Sequence, residues 1–519
     1  MIDARAGLHT ALVSLVLILM HHYWRWRSKT RHPPSPSSLP LVGNLFSIPP
    51  ENGHLAFAKL GEQLYSDLIF LKIFGQKIII LNSTEAASDL LEKRSALYSD
   101  RALPTMVIDP ALMDWSRNVS AVGYNDLWRH YRRMMNSRFN TRAVAQFRNS
   151  QERHTHLLLG RLLSSMEHAQ PFEFVRDEFF YATASLMFEI AYGYKLQSPH
   201  DPFFKEAALA YHNLASASMH TNFLVNVFPI MTYLPDWLPG TGWKRTAREW
   251  RIQQEKAKIE PYEWLKAQIT SGMHQPSLLG ALLQDYGLLS GLSSADRDER
   301  LREVGSILFG GGTDTSSNLY VCFVAAMVLN PHVQVRAQEE LDTVLGQATL
   351  PSVSDMDRLP YVRNLIEELW RLYPVFPLAI PHVCFQDDNY RGYDIEKGTT
   401  IIGNVWAMSR DPRHYKDPEV FNPDRYLDHS VPRPPVFGWG RRKCPGVHFA
   451  EASAFITIAS LLATFTFSKK RNSNAEEVVP DIEVERNSLV LELKPFDFEF
   501  GTRSKEHRQI ILEAISDEE

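Results

Sequence analysis

The sequence predicts a mainly α chain with small β-sheets, an α+β body built as one large domain behind an N-terminal apolar segment. Three observations carry this reading. Helical periodicity fills 124–140, 145–168, 172–192, 243–270, 298–330 and 332–346 of the 519 residues. Strand-like patterns are confined to 68–82, 390–403 and 484–500. No internal repeat and no long linker divides the chain. Residues 271–297 are richer in Gly and Ser but short, so they read as a surface loop with a short helix. A hydrophobic fraction of 44% is enough for a large core, and a net charge of −5 without a long basic run excludes nucleic acid as a partner.

Taken in order, the first element is "GLHTALVSLVLILMHHYW". The apolar run from Ala11 to Met20, broken only by Ser14, has the length of a signal-peptide core, but no small-residue cleavage site follows it. Tyr23, Trp24 and Trp26 suit a membrane interface, and Arg25, Arg27, Lys29 and Arg31 form a flank that stays cytoplasmic. We therefore expect an uncleaved single-pass anchor over roughly 6–26, near the ~20 residues that a span requires. Pro33, Pro34, Pro36 and Pro40 then make a semi-rigid spacer. The expected organisation is an anchor with its cationic flank (1–28), a proline-rich hinge (29–44), a main domain (45–503) and a C-terminal tail (504–519). The stretch "LIFLKIFGQKIIILN" at 68–82 reads as two strands around Gly75-Gln76.

The chemistry concentrates late in the chain, in "FGWGRRKCPG" at 437–446. The chain has only three cysteines, Cys322, Cys384 and Cys444, which make neither a disulfide framework nor a C-x-x-C metal site. A lone cysteine is ordinarily a small buried hydrophobe. Gly440 and Gly446, however, permit backbone shapes in which N–H groups turn toward one sulfur. Pro445 fits the first turn of the following helix "GVHFAEASAFITIASLLATF", whose N-terminus favours an anion. The loop suits a thiolate, and a thiolate is a metal ligand.

This loop, Phe437-x-x-Gly440-x-Arg442-x-Cys444-x-Gly446, resembles the cysteine-ligand loop of the cytochrome P-450 family, the haem-thiolate monooxygenases. The resemblance runs from the proline hinge to the last strands and looks most like membrane-bound fungal-type members. It implies the cytochrome P-450 fold, haem b as cofactor and Cys444 as the axial iron ligand. Thiolate donation favours O–O cleavage.

Further constellations take on meaning beside that loop. Glu368 and Arg371 in "EELWR" are three apart on an apparent helix, usually a surface pair worth a few tenths of a kcal/mol. The apolar surroundings suggest burial, and the resemblance adds Arg425 as the third member of a structural triad. Leu369 and Trp370 between the charges are bulkier than the family's usual residues there. Trp128 and Arg132 share a helical face that could equally be a basic surface. The resemblance gives them, with Arg442 and His382, to the haem propionates. In "LFGGGTDTSS", three glycines cost a helix ~1 kcal/mol each. The alternative is a loop with an Asp cap, but helical flanks on both sides favour a flat ligand approaching the backbone. The resemblance makes Asp314 and Thr315 the acid–alcohol pair that delivers protons during O2 activation. Pocket candidates are Met106, Val107, Phe309, Thr313, Val375, Phe376, Leu378 and Leu489.

The function implied is insertion of one oxygen atom of O2 into an apolar small molecule, in a secondary-metabolite tailoring step on a terpenoid, polyketide or indole. Electrons come from NADPH through a separate NADPH–cytochrome P-450 reductase. Arg129, Arg133, Arg441 and Lys443 form its expected docking cations. The expected location is the endoplasmic reticulum membrane, with the catalytic domain cytoplasmic. Residues 222–243, rich in Phe, Leu, Pro and Trp, are either a second lipid contact or a core-packed loop. The alternatives are a haem-thiolate isomerase or dehydratase needing no O2, and a non-catalytic haem-binding protein.

Overall fold

The computed structural model describes residue 14 and residues 30–518 apart from 49–51, 165, 167–170, 220 and 486–488. The expected anchor thus lies outside the described residues, except for Ser14. The elements that place the site follow in chain order: α1 (Gly53–Gln63), β1 (Leu68–Ile73), β2 (Gln76–Leu81), α2 (Asp126–Phe139), α3 (Arg148–Leu163), α4 (Pro171–Tyr192), α5 (Pro202–Ser218), α6 (Gly242–Thr270), α7 (Ser294–Leu329), α8 (Pro331–Leu345) and α9 (Pro360–Leu372). After these come β3 (His382–Val383), β4 (Asp388–Tyr390), β5 (Tyr393–Ile395), β6 (Thr400–Gly403), α10 (Val447–Thr464), β7 (Phe465–Ser468), β8 (Glu499–Thr502) and α11 (Lys505–Ser516).

The two early strands form a hairpin because Phe74 and Gly75 both take positive φ, 45° and 90°. Their sheet has the order β1-β2-β6-β3. β2 and β6 run parallel with Ile79 opposite Ile401, and β3 pairs antiparallel to β6 with His382 opposite Ile401. This register is what places His382. The proline hinge, expected as a spacer, is fastened to the same region. The Phe70 N–H donates to the Pro34 carbonyl (2.9 Å), and His32 stacks on Phe70 at 4.1 Å.

Helix α7 organises the core. Its second half, Leu319 to Val328, packs with α3, α4, α8, α9 and α10 in the largest apolar cluster. Its first half, Leu301 to Phe309, belongs to a second cluster with α2 and the middle of α4. The "GGGTDTSS" segment bridges the two cores inside one uninterrupted helix. Among the described residues, α10 is the single helix long and apolar enough to cross a membrane unaided, and 78% of that window is buried, so it is a core helix.

Three expectations change. The helix α5 escapes periodicity, although Asp201 caps it by accepting the Phe203 N–H (2.9 Å) and Pro202 opens it. The strand pattern at 484–500 yields only the bridge Val484–Leu493 before β8, because the Leu491 N–H goes to the Val375 carbonyl instead (2.8 Å). The expected C-terminal tail is mostly the helix α11. Ser504 caps it, Ile511 is fully buried, and Ile515 fills the notch left by Gly160 on α3, where a Cβ would come within 2.3 Å. Its many charges hide that narrow apolar stripe.

Candidate active site

The cysteine loop is held by its backbone. The Cys444 N–H donates to the Phe437 carbonyl (2.9 Å), closing the turn. Gly440 sits at φ 51°, and a Cβ there would lie 2.5 Å from the Leu91 carbonyl oxygen. No other residue fits that position. The helix begins later than the proline suggested: Gly446 is the N-cap of α10, and Pro445 lies just outside it. That frees the Gly446 N–H for the Cys444 sulfur. Cys444 is solvent-accessible, but the protein packed around it pushes the thiol up, while that N–H, Arg132 and Lys443 hold it down. The loop alone does not ionise the sulfur; a metal cation bound to it would.

Beside the sulfur lies a cluster of cations, Arg442 buried and the others half-buried. Arg442 donates Nε–H to the Ser99 carbonyl (2.8 Å) and an Nη–H to that of Val122 (2.7 Å). Arg132 reaches the Lys443 carbonyl (2.5 Å). Trp128 stands between them, with the two guanidinium carbons 4.7 and 5.6 Å from its ring. Asn125 caps α2 by accepting the Trp128 N–H (3.0 Å). A third guanidinium, Arg101, was not evident from the sequence. It donates to the carbonyls of Ile380 and Pro381 (2.7 Å each), and its Nε–H is buried with no partner among the described residues. Burial lowers all three guanidiniums, and repulsion from neighbouring arginines adds to this at Arg101 and Arg442, the latter held down to about 10. The nearby acid, Asp100, spends one oxygen on the N–H groups of Arg101 and Tyr124.

Three guanidiniums against one carboxylate leave an excess of two positive charges in a largely enclosed space, an arrangement that favours an anionic partner. The two propionates of haem b would supply that charge, and the thiol lies beside the same cluster, so the residues fit the cofactor. His382 sits beside this cluster: its Nδ1–H donates to the Tyr98 carbonyl (2.6 Å), and burial followed by Arg101 holds it well below the ordinary imidazole range. Its Nε2 is the ring nitrogen left to face a propionate, whose negative charge would favour the protonated ring. Arg101 adds a guanidinium to the cradle that the sequence reading did not name.

On α7 the glycines divide. A Cβ on Gly310 would meet the Tyr211 ring at 1.8 Å and one on Gly312 the Met187 sulfur at 2.2 Å, so these two admit neighbouring side chains rather than a ligand. Only Gly311 has open space where a Cβ would go. Thr315, one turn on, donates its hydroxyl hydrogen to the Gly311 carbonyl (2.7 Å), and Asn318 continues the face by donating to the Asp314 carbonyl (2.9 Å). Asp314 is pushed up to about 6, by burial first and by the Glu492 carboxylate second. Its folded value exceeds its ordinary one, so the protonated form is stabilising below about pH 4 and that contribution is lost as pH rises through about 6. Asp314→Asn is therefore expected to raise unfolding stability near pH 8 by up to ~3 kcal/mol and to change nothing near pH 4. Denaturation midpoints at both pH values check this; an equal offset at both contradicts it.

The triad is buried as anticipated. Arg371 grips Glu368 with two bonds of 2.8 Å, and the Arg425 Nε–H contacts both carboxylate oxygens at 3.0 Å. The Asn422 N–H adds a third partner (2.8 Å), and the spare guanidinium hydrogens go to the carbonyls of Ser409, Pro418, Lys416 and Val420.

The pocket candidates separate. Met106 and Val107 are fully buried in a roof cluster with Trp115 and Val225. Phe309 packs on Phe188 and Tyr211, and Thr313 turns its backbone toward Thr183 of α4 with its own hydroxyl buried. None of these four lines an open surface; local sequence shows that α7 has an inner face but not which neighbour covers it. Leu378 packs on the sheet beside Ile78 and Ile402. Val375, Phe376 and Leu489 are half-buried, and the Leu491–Val375 bond brings the Leu489 hairpin to this segment. Arg129, Arg133, Arg441 and Lys443 are all exposed, with Arg129 tied to Asp126 (2.6 Å).

Comparison with known proteins agrees with this geometry. The sequence profile of the cytochrome P-450 family matches residues 33–500. A cytochrome P-450 monooxygenase of Postia placenta is 38% identical over 497 residues, covering 94% of each chain. The tryptamine 4-monooxygenase of Psilocybe cyanescens is 34% identical, covering 97% of this chain and 99% of its own. A zebra fish cytochrome P-450 solved with progesterone superposes with a TM-score of 0.71 at 23% identity, over 86% of this chain and 99% of that one.

Proposed function

The chain belongs to the cytochrome P-450 family and is a haem-dependent monooxygenase, and from that premise we propose that Cys444 is its axial ligand and an apolar secondary metabolite its substrate. The observation that carries the ligand assignment is the juxtaposition of the Cys444 turn with a largely enclosed cradle of net charge near two. Arg101, Arg132 and Arg442 hold the propionates, and Trp128 keeps two of those guanidiniums apart. Haem, when bound, supplies the activation of O2. Asp314, near pH 6, is poised to pass protons inward from the interior of the protein. The Thr315 hydroxyl gives its hydrogen to Gly311 and keeps its lone pairs for the next donor in that chain. The relatives are fungal, and one is named for tryptamine, which supports profiling indoles beside terpenoids and polyketides.

The experiment is a balance of NADPH consumed, hydrogen peroxide released and product formed, with purified full chain and an NADPH–cytochrome P-450 reductase. Thr315→Ala is expected to keep consuming NADPH while product per NADPH falls at least tenfold, within the ~10²–10⁴ range of acid–base assistance. Wild-type coupling in that variant makes Thr315 a packing residue. Turnover without reductase or O2 removes the monooxygenase reading in favour of an isomerase.

The proposed setting is the endoplasmic reticulum membrane, with residues 1–28 as anchor and the catalytic domain cytoplasmic. Residues 222–243 support a second contact: Val225 and Asn226 face inward, while Ile230, Tyr233 and Trp237 are 75–86% exposed. Phe228 packs at a tilt on Phe74 (4.5 Å), and Leu41 and Phe46 are exposed as well. Deleting residues 1–28 is expected to leave partial liposome binding, lost when Ile230 and Trp237 become serine. Complete solubility of the first truncation contradicts the contact.

A further inference from the structure

We propose that Trp370 is a positioning residue for the Cys444 ligand, acting through Phe437; this rests on the haem-thiolate reading of Cys444. Trp370 lies between the two helical members of the triad, yet on a different face of α9. Glu368 and Arg371 point into their own network, and Trp370 points to the cysteine loop, where its ring meets Phe437 edge-on at 5.2 Å and 77°. The contact is buried on the tryptophan side and has the T-shaped geometry in which aromatic pairs contribute beyond their area. Phe437 is not a bystander, because its carbonyl accepts the Cys444 N–H at 2.9 Å. A displacement of Phe437 is therefore transmitted to the ligand through one hydrogen bond.

Helix α9 cannot drift to follow the loop. Besides the triad, Arg433 pairs with Glu367 (3.1 Å) and Tyr426 donates to the Glu367 carbonyl (3.4 Å). The rest of the loop is clamped elsewhere. Trp439 fills the notch at Gly403, where a Cβ would meet its ring at 2.6 Å, and Gly440 is seated against Leu91 and Ser95. The Cys444 peptide is held from both sides, its N–H by the Phe437 carbonyl and the preceding Lys443 carbonyl by Arg132, and the Trp370–Phe437 contact supports the first of these.

Trp370→Leu removes the aromatic edge and leaves space beside Phe437. The Cys444 amide then loses its fixed partner, and the sulfur takes added hydrogen bonds and donates less charge to iron. The expected result is a ferric–ferrous midpoint shifted to more positive potential by about tenfold in the equilibrium, ~59 mV for one electron. The reduced carbon-monoxide band should also acquire a shorter-wavelength population. Trp370→Phe keeps an aromatic edge and is expected to stay near wild type on both readouts. In a Phe437→Leu background, Trp370→Leu should add no further shift. If the leucine variant holds no haem, Trp370→Met, closer in volume, is read in its place. A lowered melting temperature with unchanged potential and band overturns the proposal and leaves Trp370 as core packing. Absence of a thiolate-type band in the wild type is instead the failure of the Cys444 assignment itself.

Discussion

Glu368→Gln is expected to leave a chain that neither folds stably nor retains haem. The wild-type carboxylate is fully buried and shared between Arg371 and Arg425, themselves 0% and 5% exposed. Glutamine has nearly the same shape but no charge, so both guanidiniums remain buried without their counter-ion. Breaking such a pair from one side costs ~3–5 kcal/mol, against a total stability on the order of 5–15 kcal/mol. The loss is not local, because the same guanidiniums hold the carbonyls of Ser409, Pro418 and Val420 and so the whole connection between β6 and the cysteine loop. Haem content and the thermal unfolding midpoint check this. A Glu368→Gln protein with wild-type haem occupancy and melting temperature means that the network is dispensable.

The second large effect is at the ligand. Cys444→Ser exchanges a polarisable sulfur for a hydroxyl of almost equal size, so the fold is expected to survive and the propionate cradle to keep part of its affinity for haem. A hydroxyl donates far less charge to iron than a thiolate, and O–O cleavage depends on that donation. Oxygenated product should fall below detection, at least 10³-fold, while haem measured after extraction remains present; catalytic differences of that order are ~4 kcal/mol in the barrier. Retained product formation contradicts the ligand assignment.

What the sequence disclosed depended on how local each signal was. The cysteine loop was legible because its glycines, arginine and ligand lie within ten consecutive residues. The β1–β2 hairpin and the long helices were legible because alternation and 3.6-residue periodicity are properties of adjacent positions. Arg101 was not, since its role arises where the segments near residues 100, 130, 380 and 442 converge, and nothing beside it in sequence marks that meeting. The meaning of Gly310 and Gly312 was hidden for the same reason, the occupants being Tyr211 of α5 and Met187 of α4. The sequence offered His382 but not its orientation, because the Tyr98 carbonyl that holds its Nδ1–H is 284 residues away. The helix α11 was mistaken for a tail because its buried stripe is only a few residues wide amid charges.

The most direct test of the account is the reduced carbon-monoxide difference spectrum of the full-length wild-type chain loaded with haem. A sulfur anion opposite the carbon monoxide moves the absorbance to the long-wavelength position from which the family takes its name. A neutral thiol, a histidine or no protein ligand leaves it at the shorter wavelength of ordinary haem proteins. The account predicts the long-wavelength band in the wild type and its loss in Cys444→Ser. A wild-type band at the shorter wavelength, or a long-wavelength band that persists in Cys444→Ser, contradicts it.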